Sequence, residues 1–410
     1  MPTVVISPFN VANFPEGGGH FWVYLQYVLG LRQLGCDVYW LEGFCTEGPA
    51  EREAAALATF RARMEQHGLA GKVILYFKHS KEPSLNAPSE YLNMTRAEAE
   101  AIFSQADLLL NFHYAVNPGL LACFRRTALV DIDPGLLQFW ISRGQLTVPR
   151  HDFYFTIGET VGRSAAQLPD CGLPWIHFRT PVCLERWPYV FDPDSKAFTT
   201  ISNWDSSDWV VDANEAYDNS KRVAFLEFAD LPSLTSQPLE LALFMRHERD
   251  MAEWKDLERR GWRIRHSGDV AATPETYQAY IQGSRGEFSC AKRSCMKFQN
   301  AWISDRTICY LASGKPVVVQ NTGPSSFLPN GEGMFRFSTP REAADAFAAI
   351  NADYKRHSQA ARQIAETYFD GKRNLEMLLN IALHNGGQQV WVPQTTGSLS
   401  GIALGYSQKS

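Results

Sequence analysis

The sequence predicts an α/β protein made of two doubly wound domains that face a central cleft. Three observations support this fold class. The chain has 410 residues, which is enough for two domains of ordinary size. Short β-rich apolar runs alternate with longer stretches of helical periodicity, as in parallel βαβ units. A connector rich in Pro and Asp, Pro188–Ser195, separates two such series.

The composition argues against several functional classes. The chain carries 39 basic and 44 acidic side chains, a formal net charge of −5, so we expect no general attraction to nucleic acid or anionic membranes. No apolar run reaches the roughly 18 residues of a membrane span, and the N-terminus does not resemble a signal peptide. None of the eight cysteines lies in a CxxC pair, which disfavours zinc. We therefore expect reduced thiols, no transmembrane segment and a cytoplasmic location.

The first half, residues 1–190, contains six predicted strands. They are Val4–Ile6, Asp37–Leu41, Val73–Phe77, Asp107–Phe112, Leu129–Ile132 and Phe153–Ile157. Helices are predicted over His20–Leu34 and Glu51–Gln66 from the helical spacing of their apolar residues. Thr95 and Glu98 form a capping box that starts another helix.

The second half is predicted as a domain over residues 195–357. Its six predicted strands are Phe198–Ile201, Leu239–Phe244, Trp262–His266, Gly286–Ser289, Pro316–Gln320 and Met334–Phe337. Thr339 and Glu342 predict a second capping box. A last long helix is predicted over 358–385, and the polar segment 386–410 is predicted to be a mobile tail.

The first candidate site is a glycine-rich loop after the first strand. Gly17, Gly18 and Gly19 would let the backbone approach a ligand, and free amides at a helix start favour an anion. The spacing is not GxGxxG, which disfavours an NAD site. His20 is a candidate base or sugar-binding donor; the alternative is a surface histidine in a flexible turn.

The second candidate site lies at the carboxyl ends of the fourth and fifth strands, where open α/β sheets bind ligands. His113 follows the fourth strand, and Asp131 and Asp133 follow the fifth. Paired acids could act in acid/base chemistry or bind a polar acceptor. The alternatives are a turn and N-cap role for the acids before Pro134 and a satisfied histidine beneath a loop.

The third candidate site is the most specific. Gly286–Ser289 is a predicted strand, and a predicted helix after it ends at Gly314 before a buried strand begins at Pro316. This segment resembles the donor-binding half of GT-B glycosyltransferases, which have two Rossmann-like domains. Ser284–Ser289 is similar to the first part of their PSxxEGFG motif, and Leu311–Val318 is similar to EAMAxGxPVV.

The helix of this segment also resembles the RxxExxAxG motif of spore-protein-like glycosyltransferases. Arg306 is in register with the arginine of that motif. Cys309 stands where the family has the glutamate expected to hold the donor ribose. The resemblance therefore implies that Glu287 or Asp305 compensates, or that the donor is held differently.

The resemblance extends more weakly to the rest of the chain. Gly18 and Gly19 lie in a loop similar to the family's glycine-rich loop, and Asp107–His113 is similar to a strand whose histidine contacts the donor sugar. Phe198–Trp204 would form the first strand and loop of the donor domain, which makes Ser202 a donor-site candidate. The final helix is similar to the GT-B helix that crosses back onto the N-terminal domain.

The resemblance implies a glycosyltransferase that moves a hexose-type sugar from a nucleotide-diphosphate-sugar, expected to be a UDP-sugar, to an unknown acceptor. No cofactor is expected, because GT-B enzymes neutralise the departing diphosphate with basic side chains and helix N-termini rather than a metal. Arg306 and Lys292 are candidates for that role, although each could be a solvated surface charge. The sequence Asp131-Ile132-Asp133 spells DxD but lies in the wrong domain for a donor metal site.

The stereochemistry and two other functions stay open at this point. If His20 acts as a base paired with an acid such as Asp131, inversion follows; if His113 only steadies the donor sugar, retention follows. The alternatives are a nucleotide-sugar epimerase on the same fold and a non-catalytic nucleotide-sugar-binding protein, which Cys309 keeps in view. The acceptor and the oligomeric state do not follow from the sequence.

Overall fold

The computed structural model describes residues 1–46, 48–78, 88, 90–163, 166–205, 209–212, 215–245 and 248–384. The predicted tail at 386–410 lies outside the described residues. The described chain contains two parallel sheets, one of seven strands and one of six, and helices connect most of the successive strands within each sheet. No helix in this part of the chain is long and apolar enough to cross a membrane.

The N-terminal sheet has the strand order β3-β2-β1-β4-β5-β6-β7, and every neighbouring pair is parallel. Its strands are β1 Thr3–Ser7, β2 Asp37–Cys45, β3 Val73–Lys78, β4 Leu108–Asn111, β5 Thr127–Asp131, β6 Phe153–Thr156 and β7 Trp175–His177. Its helices are α1 Gly18–Gln33, α2 Ala50–Gln66, α3 Arg96–Gln105, α4 Pro118–Leu121 and α5 Leu136–Ser142. Every residue of β4 and β5 is buried, because helices cover both faces of the sheet.

The C-terminal sheet has the order β12-β11-β8-β13-β14-β15 and is also parallel. Its strands are β8 Phe198–Asn203, β11 Leu239–Phe244, β12 Arg263–His266, β13 Gly286–Ser289, β14 Val317–Gln320 and β15 Met334–Phe337, and a separate antiparallel hairpin joins β9 Trp209–Asp212 to β10 Glu215–Asp218. The helices are α6 Lys221–Glu227, α7 Glu248–Arg259, α8 Ser267–Ala271, α9 Pro274–Gly283, α10 Arg293–Phe298, α11 Asp305–Ala312, α12 Pro340–Ala352, α13 Tyr354–Ile364 and α14 Gly371–His384, with a 3₁₀ turn at Leu231–Leu234. Every predicted strand is present, whereas β7 and the hairpin were not predicted.

The two predicted capping boxes differ in the structure. At Thr95, the hydroxyl accepts from the Glu98 amide and the Glu98 carboxylate accepts from the Thr95 amide, so this box is confirmed. At Thr339 only the first of these bonds forms, because the Glu342 carboxylate accepts from the amide of Ser338 instead. In the second box, the hydrogen bond to the glutamate carboxylate therefore comes from the residue before the predicted one.

The prediction of one continuous last helix is wrong. Helix α13 passes into a π-helical turn at Ala365–Phe369, and Asp370 then takes an extended conformation before α14 begins. The cause is a backbone contact: the Val182 amide donates to the Phe369 carbonyl, and the Gly371 amide donates to the Val182 carbonyl. After this break α14 packs on α1, and Arg126 donates to the Leu383 carbonyl.

Helix α1 also packs directly against the C-terminal half, at α8 and α9. Gly18 lies against the backbone carbonyl of Thr273, and Gly19 lies against the ring of Tyr277. The indole of Trp22 donates to the Pro274 carbonyl at 2.8 Å, and Arg63 of α2 donates to the Ala272 carbonyl at 3.0 Å. The glycines that the sequence assigned to ligand binding thus permit close packing between the two halves.

We predict that Gly18→Ala lowers the free energy of unfolding by about 1–3 kcal/mol, because the added methyl group would collide with the Thr273 carbonyl and backbone atoms cannot yield as a flexible side chain does. Chemical denaturation followed by circular dichroism measures the loss. Gly283→Ala is the matched control: its new methyl group would meet no atom within 4 Å, and it should change stability by no more than about 1 kcal/mol. Equal effects of the two variants would contradict the packing role of Gly18.

Candidate active site

The carboxyl edges of the two sheets face each other. In a parallel sheet this edge is where loops collect ligand-binding side chains. Phe14, in the loop after β1, contacts Phe244 at the end of β11 with ring centroids 5.9 Å apart. The loop that carries the first predicted site therefore reaches the ends of the C-terminal strands.

His20 lies in the first turn of α1 and is held in one orientation. Its Nε2 is 2.7 Å from the Phe9 carbonyl oxygen, which can only accept, so Nε2 carries a hydrogen and Nδ1 of the neutral ring keeps its lone pair. Burial lowers the pKa of His20, while the Phe9 carbonyl and the carboxylate of Asp305 act in the opposite direction. His20 is therefore a neutral imidazole with a lone pair available.

The acid that acts on His20 comes from the other half of the chain. Asp305 is the first residue of α11, is half-buried, and accepts a long hydrogen bond of 3.4 Å from Ser304. No hydrogen bond or ion pair joins His20 to Asp131 within the described ranges. Asp305, rather than Asp131, is the acid whose charge raises the pKa of His20 in this structure.

Asp131 organises the turn after β5. It is fully buried and its two oxygens accept from four donors, namely Tyr114 Oη, the Asp133 amide, Gln138 Nε2 and Thr156 Oγ1. Burial raises the pKa of Asp131 to about 6, although the bonds from Gln138 and Thr156 lower it. The structure thus places this candidate acid beneath the loop, with every oxygen already hydrogen-bonded.

His113 stands at the end of β4 beside a basic and an aromatic side chain. Its ring stacks on Phe9 with centroids 5.0 Å apart, and its Nε2 is 3.5 Å from Lys78 Nζ. Asn111 fixes the backbone of His113 through two hydrogen bonds of 3.0 Å. Burial, with a smaller contribution from Lys78, lowers the pKa of His113 to about 3, so this ring is neutral at physiological pH.

Arg306 is bound within the C-terminal sheet rather than exposed in the cleft. Its Nε donates to Glu287 Oε1 at 2.7 Å, and its two terminal nitrogens donate at 2.6 Å to the Ile201 carbonyl and to Ser289 Oγ. Arg306 is 6% exposed and Glu287 is 0% exposed. With three of its five N–H groups used by the protein, the guanidinium has at most two left for a ligand.

Lys292 joins the two halves at the cleft. Its ammonium lies 2.8 Å from Asp133 Oδ2, the acid that follows Asp131 in the predicted pair. Close by, Asn300 Nδ2 donates to the Pro134 carbonyl. The predicted donor-site lysine and the predicted DxD acid are thus partners across the two halves.

A second contact between the halves lies beside this one. Glu159, 2% exposed, accepts from the Ser326 amide at 2.9 Å, from Ser326 Oγ at 2.6 Å and from Ser325 Oγ. Glu159 follows β6 and the two serines follow β14. The loops after the strands of both sheets are therefore bound together at this side of the cleft.

Lys221 is a site residue that the sequence did not indicate. It is the first residue of α6, its ammonium lies 5.3 Å from the ring centroid of Trp302, and no carboxylate forms a salt bridge with it in the described chain. Burial, and then the charge of Arg306, lowers the pKa of Lys221 to about 7. In the sequence, Lys221 could be noticed only by its position at the start of the first helix after β8.

The remaining predicted site residues are mostly buried. Ser202 is 7% exposed and donates to the Asn203 carbonyl. Cys309 is 4% exposed and its sulfur accepts from Gln26 Nε2 of α1 at 3.8 Å, so it faces the contact between the halves. A small depression with a cavity volume of about 20 Å³, partly open to solvent, lies at the ends of β13 and β14; its lining includes Ser289, Trp302, Ser304, Thr307 and Gln320.

Comparisons with known proteins identify the class of fold. No family model and no curated protein matches the sequence. An alpha-glucosyltransferase in complex with UDP and a 13-mer DNA containing a central A:G mismatch is 11% identical, with 93% of this chain and 99% of that chain covered and a TM-score of 0.56. Anabaena Alr3699/HepE in complex with UDP-glucose is 12% identical, with 93% and 100% covered and a TM-score of 0.58.

A third solved structure agrees with these two. AviGT4, a glycosyltransferase involved in Avilamycin A biosynthesis, is 14% identical, with 94% of this chain and 99% of that chain covered and a TM-score of 0.52. The predicted α/β fold with two Rossmann-like domains is confirmed, and so is the predicted resemblance to GT-B glycosyltransferases. At these identities the likeness establishes the fold.

We predict that Arg306→Ala lowers the free energy of unfolding by about 3–5 kcal/mol, because it leaves the Glu287 carboxylate buried without its cation. Urea denaturation measures the loss. Replacing both partners, in Arg306→Met with Glu287→Leu, should recover much of it, because no buried charge then remains. A single Arg306→Ala variant as stable as the wild type would contradict the structural role of this pair.

Proposed function

We propose that this protein is a metal-independent glycosyltransferase that transfers a sugar from a UDP-sugar to an acceptor. The observation that carries the proposal is a group of cations at the carboxyl edge of the C-terminal sheet, Lys221, Lys292 and Arg306, which we term the lysine cluster. No carboxylate in the described chain neutralises the charge of Lys221 through a salt bridge. The fold supports the proposal, since the similar solved structures include glycosyltransferases in complex with UDP or UDP-glucose.

The lysine cluster suits a diphosphate. Arg306 and Lys292 both lower the pKa of Lys221, whereas Glu287 and Asp305 raise it, so Lys221 lies within electrostatic reach of two other cations and two acids. Arg306 and Lys292 each contact a carboxylate, Glu287 and Asp133 respectively, whereas Lys221 forms no such pair with any residue that the structure describes. A diphosphate would supply the missing negative charge, and the same cations would stabilise it as it leaves the sugar. The surface beside Trp302, whose ring lies next to Lys221, is our proposed place for the nucleoside.

His20 is our proposed base. Its Nδ1 lone pair can take the proton of an acceptor hydroxyl while that oxygen bonds to the anomeric carbon and the bond from that carbon to the diphosphate breaks. The carboxylate of Asp305 would stabilise the imidazolium that forms, since it already raises the pKa of His20. A base in this role implies attack opposite the leaving group and inversion of the anomeric carbon.

We predict that UDP-glucose binds less tightly as the pH rises above 7, by up to about tenfold per pH unit. The free protein holds the pKa of Lys221 at about 7, and a bound diphosphate would raise it, so above pH 7 binding must be accompanied by uptake of a proton. UDP-glucose is the suitable probe because its diphosphate does not titrate in this range. Isothermal titration calorimetry between pH 6 and 9 measures the affinity.

Two variants test the assignment to Lys221. Lys221→Arg should bind with little dependence on pH, because its guanidinium stays charged. Lys221→Gln should weaken binding at pH 6 by about tenfold or more, whereas Lys255→Gln removes an exposed lysine and should leave it unchanged. Wild-type binding that does not vary with pH, or equal affinities for both glutamine variants, would reject this placement of the diphosphate.

We predict that His20→Gln lowers the turnover number by about 10²–10⁴-fold while the affinity for UDP-glucose stays within about threefold of the wild type. Transfer is followed by mass spectrometry with a panel of acceptors, and the anomeric configuration of the product is read by proton NMR. An inverted product fits the proposed base. A retained configuration would remove that role from His20, and binding of donors without turnover by the wild type would favour a binding protein.

A further inference from the structure

We propose that the acceptor carries an anionic group, a phosphate or a carboxylate, which Lys78 binds beside the hydroxyl that receives the sugar. This inference rests on the proposed function and concerns the acceptor side of the same cleft. Lys78, His113 and Phe9 together form what we term the anion subsite.

The anion subsite lies at the carboxyl edge of the N-terminal sheet. Lys78 is the last residue of β3, and its Nζ is 3.5 Å from His113 Nε2 and 5.6 Å from the centroid of the Phe9 ring. No carboxylate in the described chain forms a salt bridge with Lys78. The ammonium is half-buried beside two rings, and none of the described carboxylates contacts it.

Glu42 lies within electrostatic reach of Lys78, and both of its carboxylate oxygens already accept hydrogen bonds. Glu42 is 1% exposed, and its two oxygens accept from the Ala12 amide at 2.8 Å and from the Trp40 indole at 2.9 Å. Burial raises the pKa of Glu42 to about 7, against the effect of these bonds and of Lys78, so its negative charge is itself suppressed near neutral pH. Glu42 therefore fixes the loop after β1 and compensates the charge of Lys78 only in part.

The anion subsite presents hydrogen-bond donors. An ammonium group has no acceptor, so the His113 nitrogen that faces it bears the lone pair, and the hydrogen of the neutral ring is on Nδ1. The ammonium of Lys78 thus supplies N–H groups to a ligand, and the Nδ1–H group of His113 is a further donor at the opposite edge of the ring. Donors without acceptors select an oxyanion over a hydroxyl group, which needs to donate as well as accept.

The anion subsite is continuous with the proposed base. Phe9 stacks on His113 through its ring and accepts the hydrogen bond of His20 through its carbonyl. Phe9 is 39% exposed, so part of this residue is open to a ligand. A sugar lying on this exposed part would place an anionic substituent at Lys78 while one of its hydroxyls reaches His20.

The test compares three probes of one shape, glucose 6-phosphate, glucuronate and glucose, by calorimetry at saturating UDP, so that the lysine cluster at Lys221 is occupied. We expect one of the anionic probes to bind at least tenfold more tightly than glucose; the phosphate and carboxylate arms show which anion fits. Lys78→Gln should abolish this preference and Lys78→Arg should keep it. Lys355→Gln, which removes an exposed lysine from α13, is the charge-matched control and should behave as the wild type.

The outcomes separate this proposal from the proposed function. Binding of UDP and transfer of sugar, together with equal affinities for the three probes, would overturn the anion subsite alone. A preference for anions that Lys78→Gln and Lys355→Gln reduce equally would also overturn it. A preference that only Lys78→Gln removes supports the anion subsite, even in a protein that fails to bind UDP and thereby refutes the proposed function.

Discussion

The buried contact between Arg306 and Glu287 is the interaction on which the C-terminal half of the cleft depends. It joins the start of α11 to β13 through Glu287 and Ser289, and to β8 through the Ile201 carbonyl. Such a pair gains little over apolar packing, but its geometry is specific, because a planar guanidinium satisfies three acceptors only in one arrangement. The position of Asp305, the residue immediately before Arg306, follows from this contact.

The contacts between the two halves determine which side chains lie together at the candidate site. Gly18 and Gly19 let α1 approach α8 and α9 without side chains between them, and this brings His20 within electrostatic reach of Asp305. On the other side of the cleft, Lys292 contacts Asp133, and Glu159 accepts from two serines after β14. Because each of these pairs takes one partner from each half, the electrostatics of the cleft depend on how the halves are docked.

Much of the fold could be predicted from the sequence, because buried parallel strands and their helices leave strong local patterns. Leu108–Asn111 is buried throughout and reads as an apolar run, whereas Trp175–His177 pairs as an edge strand of three half-buried residues and gives no such signal. The break at Asp370 was missed because its cause is Val182, a residue far away in the sequence.

The candidate site was less predictable because its contacts, like the break at Asp370, join residues that are far apart in the sequence. A sequence motif gives residue types but not their contacts in the fold. Arg306 was expected to bind a diphosphate. In the structure it is instead buried against Glu287, in a contact that three separate segments of the chain form. Lys221 was missed because a lysine at a helix start is ordinary in sequence. It is distinguished by burial and by the cations Arg306 and Lys292 beside it, which only the folded chain brings together.

The two histidines of the cleft show how the same side chain can take opposite roles. Burial keeps both rings neutral, so each has one N–H group and one lone pair. The partner decides which nitrogen is which: the Phe9 carbonyl, an acceptor, holds the hydrogen of His20 on Nε2, and the ammonium of Lys78, a donor, directs that of His113 to Nδ1. His20 is thereby left with a lone pair that can take a proton, and His113 with an N–H group that can bind an oxyanion. Since Phe9 contacts both rings, one short loop after β1 sets the proton-accepting and the anion-binding side of the cleft together.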